Sequence, residues 1–275
     1  MVKIVLHKFA VPDERFCEKI LEIINDCYDS LPARAVEIVD LYVFDKASTM
    51  NAFLNEEKRR FGIKTAPFDS SFFATHDAWL GTPRIMVSHD GMAVLPEMVR
   101  IGGLHHEVGH TVLHGSLEYY SFPFPELLLR LEKEGVVSRQ IAVNILYLAS
   151  IAVKDYEVTR LLYENGYVED QVAFNKYLLE TSEEDCEAWN LAKQDNAARL
   201  LVLVSLLKPA CCAAPLLKDG RHGEEIAECI DRSMGFLPKK LSVRLPRILN
   251  TASEFGGNTH ENVDRFLRKV IEELA

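Results

Sequence analysis

The chain has 275 residues, 48% of them hydrophobic, and a formal net charge of -10 at pH 7. Such a length buries a sizeable core, in one large domain or two modest ones. The acidic balance, with no basic run longer than Lys58-Arg59-Arg60, offers no grip to a phosphate backbone and excludes a nucleic-acid partner.

Lys3 to Phe9 reads as a first strand. It has no long apolar stretch and no small-residue cleavage site, so the expected location is cytoplasmic. Asp13 to Ser30 carries Phe16, Ile20, Ile23, Ile24 and Cys27 at helical spacing. Ala35 to Phe44 is β-branched and aromatic, as a strand requires, and a short helix over Ser48 to Arg60 follows. Gly62 to Pro83 is punctuated by Gly, Pro, Asp and Ser around Phe residues and Trp79, after which Arg84 to Ser88 returns to strand character. The dipeptides His76-Asp77 and His89-Asp90 flank that strand and are placed to border a cleft, although turn chemistry explains both Asp residues, and Trp79 is a pocket-lining candidate. Pro96 and Glu97 suit a first helical turn and Gly115 a stop, which predicts one helix from Pro96 to His114.

From Pro125 onward strand signals almost vanish. Helices are expected over Pro125 to Glu134, Ser138 to Glu164, Glu169 to Glu180, Ser182 to Leu207, Glu224 to Ser233, Pro238 to Ser253 and Glu261 to Leu274. Gly166, Pro209, Gly235 and Gly256-Gly257 serve as stops, and Ser182-Glu-Glu-Asp as a capping start. The apolar run from Ala197 toward Leu217 is interrupted by Arg199, Lys208, Pro209 and Pro215, which favours a core helix with a turn after it and no membrane partner. Six cysteines, at 17, 27, 186, 211, 212 and 229, show no CxxC pair and no repeated spacing, so they read as buried reduced thiols. The expected fold class is α+β. Residues 1–120 form a small α/β lobe with a mixed sheet and the helix 96–114, and residues 121–275 form a mostly α-helical lobe.

His106-Glu107-Val108-Gly109-His110 is an HExxH sequence. On a helix the i, i+4 spacing puts both imidazoles on one face about one turn apart, where they can share one metal ion. Two neutral imidazoles and a carboxylate suit Zn2+, whose open position acidifies a water that Glu107 can deprotonate as general base. Gly109 costs about 1 kcal/mol relative to Ala inside a helix, which calls for a close neighbour at its backbone. His114 lies roughly 12 Å along the helix from His106, too far to share the ion, and reads as an orienting or capping residue. His105 points about 100° away from His106 and reads as structural.

The third ligand is sought on the helix Ser138 to Glu164. Asp155 continues the stripe Ile141, Leu148, Ile151, Val158 and Leu162 and so is expected to face inward; Glu157 is expected in a solvated pair with Arg160. Asp155 is favoured, and Glu157 remains the alternative. Tyr156, Tyr163, Tyr167, His222 and His260 are oxyanion-donor candidates, none of them assigned.

With His-Glu-Val-Gly-His-Thr-Val-Leu-His on one helix, a preceding Arg-Ile-Met-Val-Ser strand and an acidic residue on a later helix, residues 35 to 165 resemble the zincin superfamily, in its gluzincin-like, minigluzincin branch. The resemblance implies that His106 and His110 bind zinc, that Glu107 is the base, and that Arg84 to Ser88 is an edge strand able to hold an extended substrate. Family members use a Glu with an Asp four residues later; here Leu161 stands four after Glu157. The expected function is a zinc-dependent hydrolase, a metallopeptidase acting on peptide or protein substrates. The alternative is a non-catalytic, zinc-stabilised binding protein on a zincin-like fold.

Overall fold

A computed structural model describes residues 2–10, 13–32, 36–62 and 73–274. The fold is α+β, with a four-stranded mixed sheet and a helical C-terminal part. The chain makes two compact units, Met1–Ser121 with Glu164–Phe174, and Phe122–Tyr163 with Asn175–Ala275.

The first unit runs β1 (Lys3–Phe9), α1 (Glu14–Ser30), β2 (Ile38–Phe44), α2 (Ala47–Phe61), β3 (Ala74–Asp77), β4 (Arg84–Ser88), α3 (His89–Ala93) and α4 (Glu97–His114), then a 3-10 turn over Leu117–Tyr120. The sheet order is β1-β2-β4-β3, parallel except for β3, which pairs antiparallel with β4. Strand alternation divides the faces. Phe44 of β2 and Met86 of β4 form a core with Met50 and Leu54 of α2, widened by Phe9, Tyr42 and Phe53. Val39, Leu41 and Val43, of opposite parity on β2, are fully buried on the other face. Helix α1 starts on the Asp13 side chain, which accepts from Arg15 N, and buries Cys17, Ile20, Ile24, Cys27 and Tyr28 at 3–4 spacing. Its Tyr28 hydroxyl reaches Thr111 Oγ1 of α4 at 2.5 Å, so α1 helps to seat the HExxH helix.

Arg84 to Ser88 is not an edge strand. It pairs with β2 on one side and β3 on the other, and all five residues are buried. Among the described residues the edges are β1 and, beside β4, β3, whose Ala-Thr-His-Asp sequence lies within the stretch expected as a loop; residues 63–72 of that stretch, like Ala35 of the second strand, lie outside the described residues. β3 is held by charge. The buried Arg84 donates from Nε to Asp77 Oδ1 at 2.7 Å and from Nη1 to Glu57 Oε1 at 3.0 Å, joining β3, β4 and α2. Asp77 is thus an ion-pair partner and not a turn former. Such a bidentate, buried guanidinium suits Arg and not Lys.

The second unit comprises α5 (Glu126–Lys133), most of α6 (Arg139–Glu164), the end of α7 (Glu169–Leu178), α8 (Glu183–Ala192), α9 (Asn196–Ala213), α10 (Gly223–Ser233), α11 (Lys239–Ser242), α12 (Leu245–Thr251) and α13 (Thr259–Leu274). The capping box at Ser182 and Asp185 is present. The single helix expected from Ser182 to Leu207 is two, because the Asp195 side chain accepts from Ala198 N and starts α9 afresh. Pro209 does not stop α9, which continues to Ala213: the proline lacks one backbone donor, and burial of Ala210, Cys211, Cys212 and Ala213 holds the turn together. The stretch Pro238 to Ser253 is also divided, and Pro246 sits at the start of α12, where its missing N–H is harmless. Asn196–Lys218 is long and apolar enough to cross a membrane by length and composition, and 56% of its apolar 18-residue window is buried inside the molecule. All six cysteines are free thiols, five of them buried.

Candidate metal centre

Helix α4 begins after Pro96 and ends at Gly115, where a Cβ would lie 2.2 Å from the Thr111 carbonyl oxygen. From Gly102 to Thr111 every residue is buried. Gly102 lets another backbone approach: a Cβ there would meet the Asp170 carbonyl oxygen at 2.3 Å. Gln171 Nε2 donates to Gly102 O at 2.8 Å, and His105 Nδ1 lies 2.8 Å from Asp170 Oδ2 with the Tyr167 ring edge-on. His105 is therefore a structural clasp for the start of α7.

One turn apart on the same helix, His106 Nε2 and His110 Nε2 face each other at 3.1 Å, both rings buried. Nitrogens bound at 2.0–2.1 Å to one tetrahedral zinc stand about 3.3 Å apart, so this pair fits a shared ion. His114 Nδ1 lies 3.2 Å from His110 Nδ1, a contact that fixes the His110 ring by its far nitrogen. Phe174 covers His106 and Tyr119 covers His114 with ring centroids 5.2 and 5.0 Å away.

Glu107 is buried beside the pair, its Oε2 at 2.6 Å from His76 Nδ1. The His76 ring lies flat on His110, with centroids 3.8 Å apart and planes 13° from parallel. Strand alternation turns His76 away from the Asp77 face of β3 and toward α4.

No protein-family model, no curated protein and no solved structure matches this chain. What the site can do rests on its own geometry. The sequence reading gives two residues of that geometry no role at the site. His76 looks like half of a turn dipeptide, because a four-residue polar strand has no periodicity to announce it. Tyr120, on the turn after α4, has its phenol pushed well up by burial, with the carboxylates of Asp77 and Glu107 adding to the effect, so it stays a protonated donor at neutral pH. Nothing local to Leu117–Tyr120 signals that neighbourhood.

Asp155 and Glu157 both belong to the second unit. Glu157 is not in a solvated pair with Arg160. It is 6% exposed, and its two oxygens accept from Asn262 Nδ2 at 2.6 Å and Thr259 Oγ1 at 2.8 Å, while Arg160 Nη1 donates to Phe255 O. Asp155 is half-buried, and its charge reinforces the burial that raises the Cys211 and Cys212 thiols. The stripe used to orient α6 holds only in its second half: Val158 and Leu162 are fully buried, whereas Ile141, Leu148 and Ile151 are partly exposed and their neighbours Ala142, Ala149 and Ala152 are fully buried instead. A helix apolar almost all round has no single inner face to read.

The other candidates have packing roles. Tyr156 meets Phe255, the Tyr163 hydroxyl donates to Asp219, His260 lies against Phe122, and His222 precedes α10. Trp79 lies beside the Arg84 guanidinium, and Asp90 accepts from Ala47 N at the start of α2.

Proposed function

We propose that this chain is a zinc-dependent hydrolase of peptide or protein amide bonds, a cytoplasmic metallopeptidase of the HExxH, zincin-like type. The observation that supports it is the facing of His106 Nε2 and His110 Nε2 at 3.1 Å on a buried helical turn that also carries Glu107. His106 and His110 hold the ion. Zinc bound there supplies a Lewis acid that polarises a carbonyl and brings the pKa of water toward neutrality. Glu107 accepts the proton of the attacking water and returns it to the leaving nitrogen. His114 keeps the His110 ring in its ligating orientation. For the third ligand we assign Asp155, since both oxygens of Glu157 already serve Thr259 and Asn262.

The test is elemental analysis of protein purified without chelators, for wild type, His106→Ala, His110→Ala and Glu107→Gln. One zinc per chain is expected in wild type and Glu107→Gln, with loss in both histidine variants. Peptide cleavage by the wild type is expected to fall at least about 100-fold in Glu107→Gln. A folded wild type that takes up no zinc under zinc-replete conditions sinks the reading; zinc without cleavage of any peptide leaves a zinc-stabilised binding protein.

A further inference from the structure

We propose that His76 is a positioning residue for Glu107: the Nδ1–H of His76, donated to Glu107 Oε2, fixes the carboxylate, and stacking on His110 fixes the donor. The inference rests on the hydrolase reading and assigns that site a residue outside the HExxH turn.

The two groups are 2.6 Å apart, and their side chains are only 15% and 10% exposed, so the bond is shielded from competing water. An ionised carboxylate only accepts, which makes Nδ1 the donor. The flat stack excludes the simplest alternative, that His76 is itself a ligand. Ring nitrogens bind a metal in the ring plane, and the planes of His76 and His110 are nearly parallel with centroids 3.8 Å apart, so their lone pairs do not converge on one ion. The backbone of His76 is equally constrained. It pairs with Ile85, and the next residue, Asp77, is tied to Arg84 by two hydrogen bonds. A glutamate has several rotatable bonds, and a base must be held within a fraction of an ångström of its working position. His76 therefore supplies a restraint on the carboxylate from the sheet.

Three variants separate the contributions. His76→Phe keeps an aromatic ring for the stack and removes the donor; His76→Asn keeps an N–H near the place of Nδ1 and removes the ring; Glu107→Ala removes the acceptor. In metal-free protein, the downfield imidazole N–H protons in the NMR spectrum of wild type are expected to include one, distinct from that of His105 on Asp170, that is missing from both His76→Phe and Glu107→Ala. In zinc-loaded protein, His76→Phe is expected to lower kcat about 10-fold or more, with KM and zinc content unchanged, and His76→Asn to recover part of the loss. Absence of the resonance in wild type, its persistence in Glu107→Ala, or an unchanged kcat in His76→Phe overturns the proposal. If the wild type binds no zinc or cleaves no peptide, the hydrolase reading fails by itself, and the NMR comparison still decides whether His76 holds Glu107.

Discussion

Glu157 and Asp155 stand two residues apart on α6 and meet different chemistry. A buried carboxylate is tolerated only where donors satisfy it, and Thr259 and Asn262 do so for Glu157. Glu157→Ala removes the acceptor of that hydroxyl and of one amide N–H, the amide keeping its second bond to Gly256 O. It is expected to destabilise the metal-free protein by about 2 to 4 kcal/mol in urea unfolding while leaving zinc content intact. Asp155→Ala is expected to lose zinc with less than about 1 kcal/mol of change in the metal-free midpoint. The reverse pattern of zinc loss moves the third ligand to Glu157. The sequence left this choice to the apolar stripe of α6, which pointed to Asp155 but is a weak guide to the inner face, because alanines, Ser150 and Thr159 are buried there as thoroughly as the large residues.

At the scale of elements, α4 and β3 show what a pattern can carry. The limits of α4 were readable from Pro96, Glu97 and Gly115, since capping is local chemistry. β3 was not readable: its four residues become a strand by pairing with β4 and by the Arg84 ion pairs, both tertiary events. The glycines of α4 offer a test of how closely its neighbours are seated. A Cβ at Gly102 would meet backbone, the Asp170 carbonyl oxygen, whereas one at Gly103 would meet the end of the Phe73 ring, each at 2.3 Å. Gly102→Ala is expected to lower stability by about 2 kcal/mol even after the better helix propensity of alanine. Gly103→Ala is expected to cost less, because a ring edge can give way. Equal midpoints in urea for the two variants would contradict the backbone contact.

For the whole molecule, buried thiols set a limit at high pH. Burial pushes the Cys27 thiol from about 9 up to about 12. Between those values the folded chain keeps a proton that the unfolded chain releases, so stability falls as pH rises through that window, by at most about 1.4 kcal/mol per pH unit for this group. Unfolding free energies measured from pH 8 to 11 should fall less steeply for Cys27→Ala than for wild type, and parallel slopes would refute the link. The burial behind this was foreseen from scattered cysteines, but which thiols are sealed was not. The same division runs through the molecule. The sequence by itself determined what one helix or strand settles internally: the class change near residue 120, β1 and β4, the capping box at Ser182, and the HExxH pair, whose facing nitrogens follow from 3.6 residues per turn. Only tertiary structure decided that β4 is central, that His76 meets Glu107 across 31 residues, and that Glu157 is claimed by Thr259 across 102. Helical spacing fixes neighbours four residues apart through the backbone, whereas partners from distant segments are chosen by packing, which no local period encodes.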